Sequence, residues 1–159
     1  MSLLEFVDIS VPLASVFSLA VVVALYLWLR KQDAGTQRMK EVASFIQVGA
    51  NAFLRREFLT IAPFVVILAL LLFVTMPEGS WQIALGFVLG AAFSMLAVYI
   101  GMNAATRANV RTTNASRFSA AKALLIAFRG GGIMGLTIVT LNLLGIFLLF
   151  LLFGVNKEN

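Results

Sequence analysis

Three groups of residues in this chain have types and spacings that could do chemistry. Gly130, Gly132 and Gly135 spell G-x-G-x-x-G. In a dinucleotide-binding fold that pattern follows a strand and opens a crossover helix whose N-terminus holds the cofactor's phosphates. Here an Ala-rich, basic segment precedes it and more than twenty uncharged residues follow. Such a run reads as a membrane helix rather than a crossover, so the cofactor reading is set aside. Arg107 and Arg111 lie one helical turn apart and could grip an anion together. The plainer reading, and the favoured one, is lipid-headgroup contact with snorkelling stems. Asn142 sits near the middle of an apolar run, where an unpaired amide is costly. One interhelical hydrogen bond, worth roughly 0.6–2 kcal/mol, accounts for it. An ion-pathway ligand is the alternative.

What is missing says as much. There is no His and no Cys, which removes the commonest general base and any thiolate metal site. The seven acids are Glu5, Asp8, Asp33, Glu41, Glu57, Glu78 and Glu158. They are dispersed, and no two share a face at metal-ligand spacing. Hydrolysis needs a base or a metal cage, and proton or cation transport normally needs ionisable groups within the bilayer. No catalytic, cofactor-binding or metal-binding residue is therefore assigned in this chain.

The elements that carry these residues follow from hydropathy. The chain has 159 residues, is 61% hydrophobic and only 12% charged, and its mean hydropathy is +0.99. A soluble domain is about 45–50% apolar and about 25% charged. Four uncharged runs stand out: Ile9–Leu29, Phe58–Met76, Trp81–Thr106 and Gly130–Asn156. As helices even the shortest reaches roughly 28 Å, close to the bilayer core of about 30 Å. The first run has Glu5 and Asp8 on its flank and no Lys or Arg, so it reads as a span rather than a cleaved leader.

The net charge of +5 reflects membrane topology rather than nucleic-acid binding. Eleven of the twelve basic residues fall in the first connection (Arg30, Lys31, Arg38, Lys40, Arg55, Arg56) and the third (Arg107, Arg111, Arg117, Lys122, Arg129). By the positive-inside rule both connections are cytoplasmic and both termini lie outside. Trp28 and Trp81 sit at span ends, where their rings favour the headgroup level. In the first connection Met39, Val42, Ala43, Ile46, Ala50, Phe53 and Leu54 recur at helical spacing. They predict an amphipathic cytoplasmic helix over 36–57, N-capped by Thr36 and continuing into the second span. Pro77-Glu78-Gly79-Ser80 predicts a tight turn between spans two and three. The cytoplasmic connection at 107–129 also reads as helical, with its break expected at Thr112-Thr113-Asn114. The expected fold is thus an all-α membrane protein of four transmembrane helices with cytoplasmic helical extensions.

Small residues four apart let membrane helices approach closely. Gly86 and Gly90, Gly131 and Gly135, and Ala97-Gly101-Ala105 are the candidate packing faces.

Three stretches resemble the family of membrane-bound proton- or sodium-pumping pyrophosphatases. GTQRMKEVASFIQVGANAFLRREF (Gly35–Phe58) is similar to that family's first cytoplasmic segment. GMNAATRANVRTT (Gly101–Thr113) is similar to the end of its third helix, and AFRGGGIMGL (Ala127–Leu136) to the entry of its fourth. The resemblance covers the whole chain. It implies the N-terminal part of a larger pump, in the outer ring of a helical bundle. It also implies pyrophosphate as substrate, outward transport of protons or Na⁺, Mg²⁺ as cofactor, and a homodimer in a cell membrane. K⁺ dependence is left open. The family's acidic motif, Asp-Val-Gly-Ala-Asp-Leu-Val-Gly-Lys, does not occur here, so no catalytic residue carries over. Two rivals remain: a non-catalytic membrane scaffold or partner subunit, which includes the remnant of a split or degraded pump gene, and a small dimeric transporter. The second conflicts with the lack of any membrane-embedded carboxylate.

Overall fold

A computed structural model describes residues 3–76 and 79–154, with side chains from Ile9 onward. Pro77 and Glu78 of the predicted turn lie outside the described residues, as do the end of the fourth span at Asn156, Lys157, and the side chains of Glu5 and Asp8. Four helices follow in chain order: α1 (Leu3–Lys31), α2 (Gln37–Thr75), α3 (Ser80–Ser116) and α4 (Ala120–Phe153). All four are long and apolar enough to cross a membrane. At 1.5 Å per residue α2 extends about 58 Å, so one end projects far beyond a bilayer core.

The helix boundaries have local causes. Thr36 is extended and its hydroxyl accepts the Met39 amide, starting α2. Ser119 does the same for the Lys122 amide at the start of α4. Each satisfies one of the amides a helix start leaves free. The break expected at Thr112–Asn114 comes instead at Arg117–Ser119, a tight turn closed by the Ser119 amide on the Ala115 carbonyl at 2.9 Å. The reason is that these polar side chains are used within the helix or across it. Thr113 Oγ1 donates to Asn109 O at 2.9 Å, and Asn114 reaches Asp33.

The helices are arranged as an open arc. α3 packs most extensively on α4 and next on α2, α1 lies along α4, and α1 touches α3 only slightly. Among the described residues α2 meets neither α1 nor α4. The tight packing is made by two stripes at alternating spacings of three and four. On α4 it is Ala123, Ile126, Gly130, Ile133, Thr137 and Thr140, all buried. On α3 it is Ala97, Gly101, Ala104 and Ala108, then Ala115. Arg111 occupies the missing step of the α3 stripe. This three-four alternation suits nearly parallel or antiparallel helices, and the small residues let the backbones close.

Outside that seam the apolar spans expose much of their surface. The most hydrophobic window of α2 is 0% buried, and exposed Leu, Ile, Val and Phe cover all four helices. A soluble monomer rarely shows such patches. In a bilayer this surface needs no water-facing cover, and helices that close their own backbone hydrogen bonds are what lipid permits. The chain is a multi-pass integral membrane protein.

Candidate functional site

The polar chemistry of the chain converges at the end of the arc where α1 stops and α3 projects. A helix leaves its last carbonyls without partners. α1 ends in Arg30 and Lys31, and Gln32 donates its side-chain amide back to Trp28 O at 3.2 Å. The Gln32 backbone amide donates to Leu29 O at 3.1 Å, and Arg111 supplies further donors. Its Nε donates to Gln32 O at 3.0 Å, Nη1 to Arg107 O at 2.8 Å, and Nη2 to Arg30 O at 3.5 Å. A guanidinium at a helix C-terminus is also favoured by the helix dipole. Burial lowers the Arg111 pKa, and the nearby Arg107 cation lowers it further. A guanidinium remains charged regardless.

The linker is shaped around the same junction. Asp33 Oδ1 accepts the Gly35 amide at 2.9 Å, and Oδ2 accepts Asn114 Nδ2 at 3.1 Å. Gly35 has φ +82°, and a Cβ there would lie 2.7 Å from Met39 Sδ and 2.8 Å from Asn114 Oδ1. Only glycine fits both the conformation and the space. The Gly35 amide chiefly holds the Asp33 carboxyl below its ordinary value of 3.8, with Asn114 adding to it against a partial desolvation. A carboxylate whose folded pKa is depressed stabilises the fold fully above its unfolded pKa. That contribution is lost as pH falls from about 3.8 through the lower folded value.

Arg107 and Arg111 are one turn apart but are used differently. Arg111 turns to the end of α1. Arg107 lines a cleft of about 440 Å³ between α1 and α3, floored by Ile133 of α4. Its Nε is buried and has no acceptor. A buried donor left unpaired costs about 1–3 kcal/mol. Beside this junction the Arg129 guanidinium stacks 4.2 Å above the Trp28 ring, tying α4 to α1 by a cation–π contact. The sequence reading did not identify that pair.

The packing candidates separate. A Cβ on Gly101 would lie 2.6 Å from Met134 Cγ, and one on Gly86 would make ordinary 3.6 Å contact with Leu149. For Gly90, Gly131 and Gly135 no atom lies within 4 Å. Among the described residues those three make no close helix contact, although Gly90 borders a small space shared with Asn142 and Gly145 of α4. The close approaches not singled out by the sequence are Gly130, where a Cβ would be 2.5 Å from Ala108 Cβ, and Gly145, 2.9 Å from Phe93. The signal for Gly130 was the three-four stripe from Ala123 to Thr140, which passes through it and misses Gly131.

Asn142 is exposed and borders a small space beside Gly90 and Phe93. Polar pairing between helices occurs elsewhere: the Thr140 and Ser18 hydroxyl oxygens lie 2.6 Å apart, and Gln47 Nε2 donates to Asn103 Oδ1 at 3.4 Å. Among the described residues no three Asp, Glu, His or Cys side chains converge. Mg²⁺ takes carboxylate oxygens, so the residues described do not fit that ion and no chemical step in this chain is derived through it.

Comparison with known proteins gives a consistent result. Residues 16–159 match the family described as inorganic H⁺ pyrophosphatase. The chain is 46% identical over 143 residues to the K⁺-insensitive pyrophosphate-energized proton pump of Methanosarcina mazei, covering 90% of this chain and 21% of that protein. It is 43% identical over 138 residues to K⁺-insensitive pyrophosphate-energized proton pump 2 of Moorella thermoacetica, covering 86% and 20%. It is 40% identical over 126 residues to the K⁺-stimulated pyrophosphate-energized sodium pump of Thermotoga maritima, covering 78% and 17%. The chain spans about a fifth of the length of the curated relatives it matches.

Proposed function

The chain belongs to the inorganic H⁺ pyrophosphatase family, and from that premise we propose that it forms the first four membrane helices of a pump driven by pyrophosphate hydrolysis. Its role there is architectural. It supplies part of the outer wall of a larger helical bundle and the basic junction that fixes α1 to α3. The observation that carries this reading is the open arc: among the described residues α1 and α2 do not meet, and the seam between α3 and α4 leaves apolar faces on both sides. An arc of this kind suits a wall segment against which further helices close.

The hydrolytic site, its Mg²⁺ and the ion path belong in this reading to residues beyond the four helices. Relatives of comparable similarity are named as proton pumps and as a sodium pump, so the residues shared with them do not select the ion or the response to K⁺. The basic end faces the cytoplasm by the positive-inside rule, with both termini of the segment outside. The working unit is a homodimer in a lipid bilayer.

The test is hydrolysis by the segment itself. Met1–Asn159, expressed and purified in detergent, is expected to release no phosphate from pyrophosphate in the presence of Mg²⁺. Fluoride-sensitive, Mg²⁺-dependent phosphate release by the pure segment would overturn the assignment of a purely architectural role.

A further inference from the structure

We propose that the cleft between α1 and α3 is a binding site for one anionic phospholipid, with its phosphate on Arg107 and an acyl chain along the trough. The inference is independent of the pumping role. The two helices run in the same direction, so Leu19 to Leu27 and Tyr99 to Arg107 each line about 12 Å of one trough. Away from Arg107 the walls are apolar apart from Tyr99, with Leu19, Val22, Val23 and Ile100 lining the trough. At the basic end the lining turns polar, through Tyr26, Asn103 and Arg107. Among the described residues no acidic side chain lines the cleft.

That order matches a phospholipid from tail to head. A volume of about 440 Å³ lies in the range of ligand pockets, about 300–1,000 Å³. Arg107 lines the cleft and its inward Nε finds no acceptor among the described residues, so the outer N–H groups of the same guanidinium are the donors a phosphate oxygen would meet. Arg111 cannot swing in to compete, because three of its N–H groups hold the carbonyls of Arg30, Gln32 and Arg107. A protein helix seated in the cleft would need an acidic or carbonyl group at one fixed height. A lipid brings its phosphate to the headgroup level in any case.

The experiment is native mass spectrometry of the full chain released from micelles of phosphatidylglycerol and phosphatidylcholine with matched acyl chains. One bound phosphatidylglycerol is expected, preferred about fivefold, the preference that one basic side chain confers near an anionic headgroup. Arg107→Gln should erase the preference and Arg107→Lys keep part of it. Val23→Trp alters a half-exposed residue, so folding is spared, and it should expel both lipids. Three results would overturn the proposal. One is retention of phosphatidylglycerol by Arg107→Gln or Val23→Trp at the unaltered level. Another is displacement of the lipid by an equal concentration of inorganic phosphate, which would mark a free-phosphate site. The third is a Val23→Trp change in oligomeric state with lipid binding intact, which would mark a helix as the occupant.

Discussion

Gly130→Ala is expected to destabilise the chain by about 1–3 kcal/mol, the cost of overpacking a tight contact. The added methyl would sit 2.5 Å from Ala108 Cβ. That atom is fixed to the α3 backbone, so relief requires the two helices to separate. Separation loosens the whole three-four seam, including buried Ile126 and Ile133. Gly131→Ala is the internal control. Nothing lies within 4 Å of its Cβ position, so the substitution should be neutral or stabilising by up to about 1 kcal/mol through helix propensity. Unfolding of both variants by denaturing detergent in mixed micelles measures the difference. Equal effects at the two adjacent glycines would contradict the packing described here.

The second large effect belongs to Arg111. Arg111→Gln should destabilise by about 1.5–3 kcal/mol, the range for hydrogen bonds from a charged donor. The loss is local in a specific way. The carbonyls of Arg30 and Gln32 lose their donor, so amide hydrogen exchange should accelerate from Leu29 through Gly35 while the α3–α4 seam stays protected. Arg111→Lys should not rescue it, because an ammonium cannot span three carbonyls as a planar fork does. Uniform loss of protection across all four helices would show that Arg111 is not a clasp between α1 and α3.

These two residues also show what the sequence can and cannot reveal. The four spans were readable because lipid excludes charge, so the neutral runs announce themselves. The cap at Thr36, and with it the start of α2, was readable because capping is local. The break after α3 was not. Thr112-Thr113-Asn114 look like a helix stop by type, but Asn114 is held by Asp33, 81 positions away. The glycine spacing was ambiguous for a related reason. Gly131 and Gly135 have the spacing of a contact face, but spacing alone does not say which side of a helix meets a neighbour. The apolar and hydroxyl residues at three-four steps around Gly130 carry that information. Arg107 and Arg111 are legible as two arginines on one turn, but their division into a clasp and a cleft-lining cation depends on where α1 ends.

In energetic terms the segment is held by a narrow seam and a polar junction, not by a wide core. Its buried set is small and rich in alanine. In lipid, close backbone packing and interhelical hydrogen bonds replace the hydrophobic drive. The faces left over are then available to the rest of a larger bundle.

The most direct measurement is a transplant. This chain replaces the matching fifth of the Methanosarcina mazei pump, and membrane vesicles carrying the chimera are assayed for proton uptake on adding pyrophosphate. The account predicts pyrophosphate-dependent uptake, because the four helices form a wall and the chemistry stays with the host protein. A chimera that inserts and assembles like the host but neither hydrolyses pyrophosphate nor takes up protons would contradict it.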